Sequence, residues 1–406
     1  MEGMRGTLLN QIMAWVANEV DPRNLYWIHG LPGIGKTSLA HSICEKLHNK
    51  QRFAGAFFCQ RDDVNMSKLR NILPMLISKL TEIFPPFRSL MADHLCSNPN
   101  LTSKLMKDSL FLKFICNLPH HLKHTLVFVI DTLDKCGDNQ DHPVLLEVLS
   151  QMATHAPWLK IIVTSRPEDE IQGFFHCLPQ SSYSSYDLAT DQEAETDLQT
   201  FSQSQFDLVA KKWCLPTPWP EQLLFDNVVT QVNSLFIFIK TLVLALKQCK
   251  DPKETLKAAL QDSTVAGLKP LYNLYSSILK SQIVPSNAEL QQVIGVLLTA
   301  APYCTLSDKS IAELAGVNPN LVKMWVNDLS SLLYQDKVAD GGICVQHLSI
   351  SDFFVSNHCV YQVNLQEANV QLGVACLKTM VKQLCFNICK LEDSQLANPH
   401  ITDLPS

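Results

Sequence analysis

The sequence has no apolar run that is long enough to cross a membrane, and it has no surplus of positive charge. Its most apolar stretch, residues 235–246, is shorter than the roughly 20 residues that a bilayer requires and contains Lys240, which favours a buried helix. The formal net charge is −6 at pH 7. That charge argues against a broad surface for nucleic acid or for anionic lipid.

Paired cysteine spacings, a signal peptide, internal repeats and low-complexity tracts are also missing. The 14 cysteines are scattered over segments predicted to be helices and strands, so free thiols in a reducing compartment are the simplest interpretation. With 46% hydrophobic and 18% charged residues, the composition is that of an ordinary globular protein. We expect a soluble, cytoplasmic protein with no membrane partner and no nucleic-acid partner.

The strongest signal is the segment WIHGLPGIGKTS at residues 27–38, which fits the pattern G-x-x-x-x-G-K-[ST]. An apolar run precedes it, and apolar residues recur at helical spacing after it, so the segment joins a strand to a helix. The backbone N–H groups of such a loop and the positive end of the helix bind phosphate. A glycine-rich turn without a ligand is the alternative, and the flanking pattern argues against it. The residues predicted to bind a nucleotide are Gly30, Leu31, Pro32, Gly33, Ile34, Gly35, Lys36, Thr37 and Ser38.

Two further polar groups are predicted at the carboxyl ends of strands, where a parallel sheet binds its ligand. Asp131 follows the apolar run 125–130 and is expected to orient water on Mg²⁺, which Thr37 also contacts. Arg166 ends the next apolar run and is expected to sense a γ-phosphate. Taken alone, Asp131 suits a structural salt bridge equally well, but its place between the glycine loop and Arg166 favours the nucleotide. The catalytic candidates are Lys36, Asp131, Asp134 and Arg166, and the metal candidates are Thr37 and Asp131.

Alternation of strands and helices over the first half of the chain predicts a parallel sheet covered on both faces. Helical patterns then continue, and two further helices, the second expected over 318–333, precede a hairpin around residues 341–342. The predicted fold is α/β: a P-loop NTPase parallel sheet core, a helical lid and a winged-helix domain. The predicted boundaries are 1–22 for an entry helix, 23–190 for the nucleotide-binding domain, 191–266 for the lid, 267–362 for the winged helix and 363–406 for the start of a helical segment.

The segments GLPGIGKTS, VIDTLDKC and IVTSRPE resemble the NACHT NTPases of the STAND class, especially fungal NLR-like incompatibility receptors. Residues 345–354 are similar to the His-x-Ser-Phe-x-[Asp/Glu]-Phe stretch of that family's winged helix, and residues 5–7, 57–62 and 233–238 match further. The resemblance implies that the nucleotide lies between the α/β domain and the winged helix, and that His347 contacts the phosphates of the diphosphate and locks a resting state. A structural histidine is the alternative for His347.

Two departures from the family are visible. The family has Asp-Glu where this chain has Asp134-Lys135, so a cation replaces the expected catalytic carboxylate while Asp131 remains for Mg²⁺. An effector domain before the core and a repeat sensor after it are also missing. We therefore expect a truncated member, a fragment, or a partner for longer relatives.

The resemblance implies a signal-transduction switch of the innate-immunity type. ATP or GTP with Mg²⁺ favours an open form that self-associates or joins longer family members; the diphosphate favours a closed monomer, and hydrolysis is slow. A nucleotide-binding scaffold that does not hydrolyse is the main alternative, and a winged-helix DNA-binding regulator is another. The sequence has no recognisable pocket for the acceptor substrate of a metabolic kinase. It also lacks the Asn-Lys-x-Asp motif with which a regulatory GTPase recognises its base.

Overall fold

The structure is a computed structural model of the 406-residue chain. It describes residues 4–60, 66, 68–84, 87–89, 92–93, 125–137, 142–232, 234–260, 267–282, 288–336 and 341–384. Within these ranges, no helix combines the length and the apolar character that a bilayer crossing requires.

The first part of the chain alternates strands with helices, as the sequence predicts. Its strands are β1 (Leu25–His29), β2 (Phe53–Phe58), β3 (Leu126–Asp131), β4 (Leu159–Ser165) and β5 (Tyr183–Asp187). Its helices are α1 (Gly6–Ala17), α2 (Lys36–Asn49), α3 (Ile72–Ile83), α4 (His142–His155) and α5 (Asp169–Cys177). The predicted α/β core is confirmed.

The five strands are parallel and lie in the order β2-β3-β4-β1-β5. Strand β1 pairs with β4 through His29 and Ser165 and with β5 through His29 and Asp187. Strand β4 therefore separates β1 from β3, and all three end at the same edge of the sheet. The loops that leave this edge carry the predicted nucleotide site.

Alternation of side chains along the strands divides the core between the two faces of the sheet. Tyr26 and Ile28 pack with α1 and α2 on one face, whereas Leu25 and Trp27 pack with α3, α4 and α5 on the other. Lys160 is also buried among these strands, and it donates from Nζ to the carbonyl oxygens at the end of α1. Within the described part of the chain, helices thus cover both faces of the sheet.

The second part of the chain is a helical lid followed by a winged helix. The lid contains α6 (Ala194–Trp213), α7 (Gln222–Val232), α8 (Phe236–Gln248) and α9 (Pro252–Leu260). The next elements are α10 (Lys269–Gln282), α11 (Ala288–Ala300), α12 (Asp308–Ala315), α13 (Pro319–Asp328), β6 (Leu333–Gln335), β7 (Ile343–Val345), α14 (Leu348–Val355) and α15 (Leu365–Gln383). Lid and winged helix share one hydrophobic core, so they pack as a continuous body. The domain boundaries given above stay predictions.

The predicted hairpin is confirmed, because β6 and β7 pair antiparallel on either side of residues 337–340, which lie outside the described ranges. The helix predicted over 318–333 is wrong at its end. It ends at Asp328, since the chain turns after it and Leu333 pairs with Val345 in the wing. Of the helical segment predicted within 363–406, the structure describes the helix Leu365–Gln383, and residues 385–406 lie outside the described ranges.

Candidate nucleotide site

The loop between β1 and α2 has the backbone form that its glycines permit. Gly33 and Gly35 have φ angles of 82° and 99°, in the left-handed region that residues with a side chain avoid. Helix α2 begins at Lys36, and Thr37 and Ser38 are exposed on its first turn. The first backbone N–H groups of a helix have no partner within the helix, so this end is suited to an anion.

A cavity of about 440 Å³ lies over this loop, between the sheet, the lid and the winged helix. Its lining combines a cationic part with an aromatic part. The residues that line it outside the loop and α2 include Arg5, Thr132, Asp134, Lys135, Arg166, Phe201, Phe236, Lys240 and His347. Of the predicted site residues at the strand ends, Asp134 and Arg166 line the cavity, whereas Asp131 is not among its lining residues.

Lys36 is the buried cation of the loop, with 5% of its surface exposed. Its Nζ donates to the carbonyl oxygens of Gly30 and Leu31, at 2.7 and 3.0 Å. Burial lowers the pKa of Lys36 to about 8, and the nearby Asp134 offsets this only in part. A bound polyphosphate supplies the opposite charge that this ammonium lacks, and it raises the pKa again.

Nucleotide affinity is therefore expected to fall as the pH rises above 8. In the free protein Lys36 loses its proton near that pH, whereas the complex requires the charged form, so affinity drops by up to about tenfold per pH unit. Calorimetry at pH 7, 8, 9 and 9.5 measures the trend. The control is Lys36→Arg, whose guanidinium stays charged over this range; an equal fall in both proteins would show that another group titrates.

Asp131 ends β3 and is 1% exposed. Its Oδ1 accepts from the Thr164 hydroxyl at 2.6 Å, and its Oδ2 lies 3.4 Å from the Thr132 hydroxyl. Mg²⁺ prefers oxygen ligands and keeps several waters. The exposed Thr37 hydroxyl and the Asp131 carboxylate, which Thr164 holds in place, are oxygen groups of the kind that would hold such an ion. The sequence does not indicate this role of Thr164, because a β-branched residue is common in any strand.

Arg166 connects three parts of the molecule. Its backbone N–H donates to Asp134 Oδ1 at 2.9 Å, and its Nε lies 3.1 Å from Asp134 Oδ2. Its Nη1 lies 2.8 Å from Oδ2 of Asp352, on α14 of the winged helix. Arg166 therefore bridges the end of β4 to the winged helix at the edge of the cavity. Asp352 stands at the acidic position of the His-x-Ser-Phe-x-[Asp/Glu]-Phe stretch, but the sequence gave it no role.

His347 precedes α14 and caps that helix. Its Nδ1 accepts from the backbone N–H of Ser349 at 3.2 Å and lies 2.7 Å from the Ser349 hydroxyl, which in turn lies 2.8 Å from the Tyr275 hydroxyl. Burial, with nearby lysines and Arg166, lowers the pKa of His347 to about 3. The ring is therefore neutral at pH 7, and because Nδ1 accepts, its proton is on Nε2. That N–H is the donor available for a ligand of the cavity.

The lid closes directly on the glycine loop. The backbone N–H of Ile237, on α8, donates to the Gly33 carbonyl at 3.3 Å, and a Cβ at Gly33 would lie 2.0 Å from Ile237 Cγ2. Gly33 is therefore required by this contact as well as by its φ angle. A side chain here would push α8 away from the loop.

Arg5 lies beside the loop, 5% exposed, and its Nη2 donates to the Ile34 carbonyl at 2.6 Å. Its Nη1 is buried and has no hydrogen-bond partner within the described part of the chain. The rings of Phe201 and Phe236 are 5.5 Å apart in the same region. An unpaired donor next to aromatic rings suits a nucleobase. The sequence did not single out Phe201 and Phe236, because each fits the apolar spacing of an ordinary buried helix face.

The glycine loop at the end of β1, the lysine that begins α2, the carboxylate at the end of β3 and the parallel sheet that aligns them define a P-loop NTPase. These features belong to this chain and do not depend on any relative.

Residues 7–166 match the family model described as Nephrocystin 3, N-terminal, and that segment contains the glycine loop and ends at Arg166. A comparison with curated proteins gives no significant match.

Among solved structures, a Signal Transduction ATPase with Numerous Domains (STAND) protein with a tetratricopeptide repeat sensor, from Pyrococcus horikoshii, is similar at 14% identity and a TM-score of 0.46. The similarity covers 95% of this chain and 46% of that one, so this chain corresponds to less than half of that protein. The Walker-type ATPase of Pyrococcus abyssi is similar at 13% identity and a TM-score of 0.39, over 86% and 95% of the two chains. Drosophila ORC bound to DNA is similar at 12% identity and 0.36, over 88% and 97%.

Proposed function

We propose that the chain is a nucleotide-dependent switch of the NACHT type within the STAND class, with ATP or GTP as the activating ligand and the diphosphate as the resting one. The observation that carries the proposal is the bridge from Arg166 to Asp352. The same side chain that ends a strand of the nucleotide-binding sheet also holds the winged helix. A side chain that would contact phosphate therefore also helps to hold another domain in place.

The switch follows from competition for one guanidinium. In the resting form, Arg166 pairs with Asp134 and Asp352, and the Nε2–H of His347 faces the phosphates of the diphosphate. A γ-phosphate is a further anion, and arginine binds phosphate and carboxylate with the same fork of donors. When Arg166 turns to the γ-phosphate, Asp352 loses its partner. The winged helix is then released, and the surfaces it covered become available for self-association.

Mg²⁺ fits this proposal at Thr37 and Asp131, where it would neutralise part of the phosphate charge. The chain's own residues do the rest. Lys36 binds the phosphates from within the loop, and Lys135 and Lys240 add positive charge at the cavity wall. Phe201, Phe236 and Arg5 enclose the base. Adenine and guanine both suit these contacts.

Hydrolysis is slow or absent in this proposal. Asp134 is 3% exposed and already paired with Arg166, and Lys135 places an ammonium where the family has a carboxylate. A carboxylate that is ion-paired and buried is a poor base for an attacking water. The non-hydrolysing scaffold therefore remains the runner-up.

Lys135→Glu is expected to raise steady-state turnover by about tenfold or more, because it introduces the carboxylate that can activate water. Lys135→Gln is the matched control, since it removes the ammonium without supplying a base. Phosphate release is measured with saturating nucleotide and Mg²⁺. If the Glu variant is no faster than the Gln variant, position 135 does not limit hydrolysis.

The switch itself is tested by identifying the nucleotide and changing it. Mass spectrometry of the denatured protein identifies the base and phosphate number of any co-purified nucleotide. Light scattering then measures the molar mass with the diphosphate and with a non-hydrolysable triphosphate of that base. We expect a smaller species with the diphosphate and a larger one with the triphosphate. Equal masses in both states would refute the switch and leave the scaffold.

A DNA-binding regulator is the other candidate. Helix α13, the second helix of the winged-helix order, contains Lys323 as its one basic residue, so it offers little positive charge to a DNA backbone. The absence of a nucleic-acid partner, the cytoplasmic location and a role in innate-immunity signalling stay predictions. A gel-shift experiment at low salt separates the DNA-binding candidate from the switch.

A further inference from the structure

A chain of buried hydroxyl groups ends at His347. The Ser349 hydroxyl lies 2.7 Å from Nδ1 of His347 and 2.8 Å from the Tyr275 hydroxyl. The Tyr275 hydroxyl is also hydrogen-bonded to the side chain of Thr241. The side chains of Thr241, Tyr275 and Ser349 are all buried, so solvent does not compete for these bonds. We name these three residues the hydroxyl relay.

The members of the relay lie on three different helices. Thr241 is on α8 of the lid, Tyr275 is on α10, and Ser349 is on the first turn of α14. Helix α8 also carries Ile237, whose backbone N–H donates to the Gly33 carbonyl. The relay therefore extends from the helix that closes on the glycine loop to the histidine that lines the nucleotide cavity from the winged helix.

The direction of these hydrogen bonds follows from one donor that cannot turn round. The backbone N–H of Ser349 points at Nδ1 of His347, at 3.2 Å, so this nitrogen has to accept. The Ser349 hydroxyl must then donate its one proton to Nδ1 and accept from the Tyr275 hydroxyl. Tyr275 in turn accepts from Thr241. Every proton of the relay thus points towards His347, and each buried hydroxyl on the way has a partner.

This arrangement selects one of the two neutral forms of the imidazole ring. Burial and neighbouring cations lower the pKa of His347 to about 3, so the ring is neutral at pH 7. A proton on Nδ1 would place a donor against the backbone N–H of Ser349 and would require the hydroxyls of Ser349 and Tyr275 to turn round. A proton on Nε2 avoids both conflicts, so the packing of the three helices favours the Nε2–H tautomer.

We propose that the hydroxyl relay positions His347, fixing the Nε2–H tautomer and the direction of the ring so that this donor meets a phosphate oxygen of the bound diphosphate. Thr241, Tyr275 and Ser349 are then positioning residues that act through His347. The relay is complete only while α8, α10 and α14 are packed together, so the contact with phosphate depends on the closed arrangement of lid and winged helix. This inference rests on the proposed function, in which His347 faces the diphosphate.

The tautomer decides whether His347 attracts or repels the ligand. The ionised oxygens of a phosphate accept hydrogen bonds, so an Nε2–H binds them. In the other tautomer, Nε2 presents a lone pair to the anion. A relay that only satisfied buried polar atoms of the core would behave differently, because removing it would lower stability and leave both the tautomer and the release of ligand unchanged.

Two variants interrupt the relay. Ser349→Ala removes the hydroxyl next to Nδ1. Tyr275→Phe removes the hydroxyl behind it and keeps the ring, whose centroid lies 5.4 Å from that of Phe353. Tyr272→Phe is the matched control, because Tyr272 lies on the same helix with its ring 5.5 Å from Phe353, and its hydroxyl is not a member of the relay. Urea unfolding checks that all three variants are folded.

The first measurement is ¹⁵N NMR of the nucleotide-free protein labelled at its histidine nitrogens, with His347→Asn identifying the His347 signals by their loss. In the wild type and in Tyr272→Phe, we expect the proton on Nε2 and an Nδ1 with the shift of a hydrogen-bonded acceptor. Ser349→Ala should move the Nδ1 shift towards that of a free acceptor or populate the Nδ1–H tautomer. Tyr275→Phe should do the same to a smaller extent.

The second measurement is the dissociation rate of the diphosphate. Ser349→Ala and Tyr275→Phe should each release it roughly two- to tenfold faster, the range that one hydrogen bond spans, and Tyr272→Phe should release it at the wild-type rate. A wild-type proton on Nδ1, or relay variants with wild-type nitrogen shifts and release rates, would overturn the proposal. If the shifts change as expected but His347→Asn releases the diphosphate at the wild-type rate, the relay sets the tautomer, and the phosphate contact of the proposed function is what fails.

Discussion

Lys36→Ala is expected to abolish measurable nucleotide binding. The ammonium is the only group that the glycine loop itself contributes as a charge, and it is 5% exposed, so its attraction to phosphate is weakly screened. A hydrogen bond to a charged group is worth about 1.5–3 kcal/mol. A β- and a γ-phosphate both lose such a contact in the variant. The expected loss of affinity is therefore at least a hundredfold, measured by calorimetry with the diphosphate and the triphosphate.

The control for this experiment addresses a second role of Lys36. Its Nζ also donates hydrogen bonds to the carbonyl oxygens of Gly30 and Leu31. Removing the side chain therefore loosens the loop and also removes a charge. Lys36→Met keeps the apolar stem and the bulk, and Lys46→Ala removes an exposed lysine from the same helix. Lys46→Ala should bind normally, and Lys36→Met should fail while melting near the wild-type temperature. Normal binding by Lys36→Met would remove the P-loop assignment.

The parts of the site that the sequence predicts are those determined by neighbouring residues. Gly33, Gly35 and Lys36 lie close together in the sequence, and their conformations follow from glycine's freedom and from the start of a helix. Asp131 and Arg166 are predictable because each directly follows an apolar run, and parallel strands end at one edge. The strand order was not predicted, because an alternation of strands and helices does not determine which strands are neighbours or how the lid packs on the winged helix.

The parts that the sequence does not predict depend on docking between distant segments. The pairing of Arg166 with Asp352 exists because α14 is brought to the end of β4, and no local pattern encodes that approach. Docking between distant segments also produces the close contact of Ile237 with Gly33. It likewise buries Nη1 of Arg5 without a hydrogen-bond partner in the described part of the chain. The overlong helix at 318–333 is a local error, since its last apolar residues fit a helix and a strand equally well.

Replacing His347 is expected to open the resting form, and the structure shows which replacement tests this cleanly. Its Nδ1 caps α14 by accepting from the N–H of Ser349, so Nε2–H is the group left for the ligand. His347→Leu removes both roles. Asparagine is a strong helix cap, so His347→Asn keeps the acceptor for Ser349 but is too short to replace the donor in the cavity. The two variants together separate the cap from the contact with the phosphates.

If His347 locks the diphosphate form, both variants lose a contact of about 1.5–3 kcal/mol, which shifts the closed population roughly ten- to a hundredfold towards the open form. Both should then release the diphosphate faster and form larger species at lower concentration. The Leu variant should in addition be less stable by about 0.5–2 kcal/mol, because its helix has lost its cap. Diphosphate dissociation, light scattering and urea unfolding measure the three effects. If His347→Asn behaves like the wild type and only His347→Leu opens, then His347 acts as the cap of α14, and Arg166 with Asp352 is left as the contact that holds the winged helix.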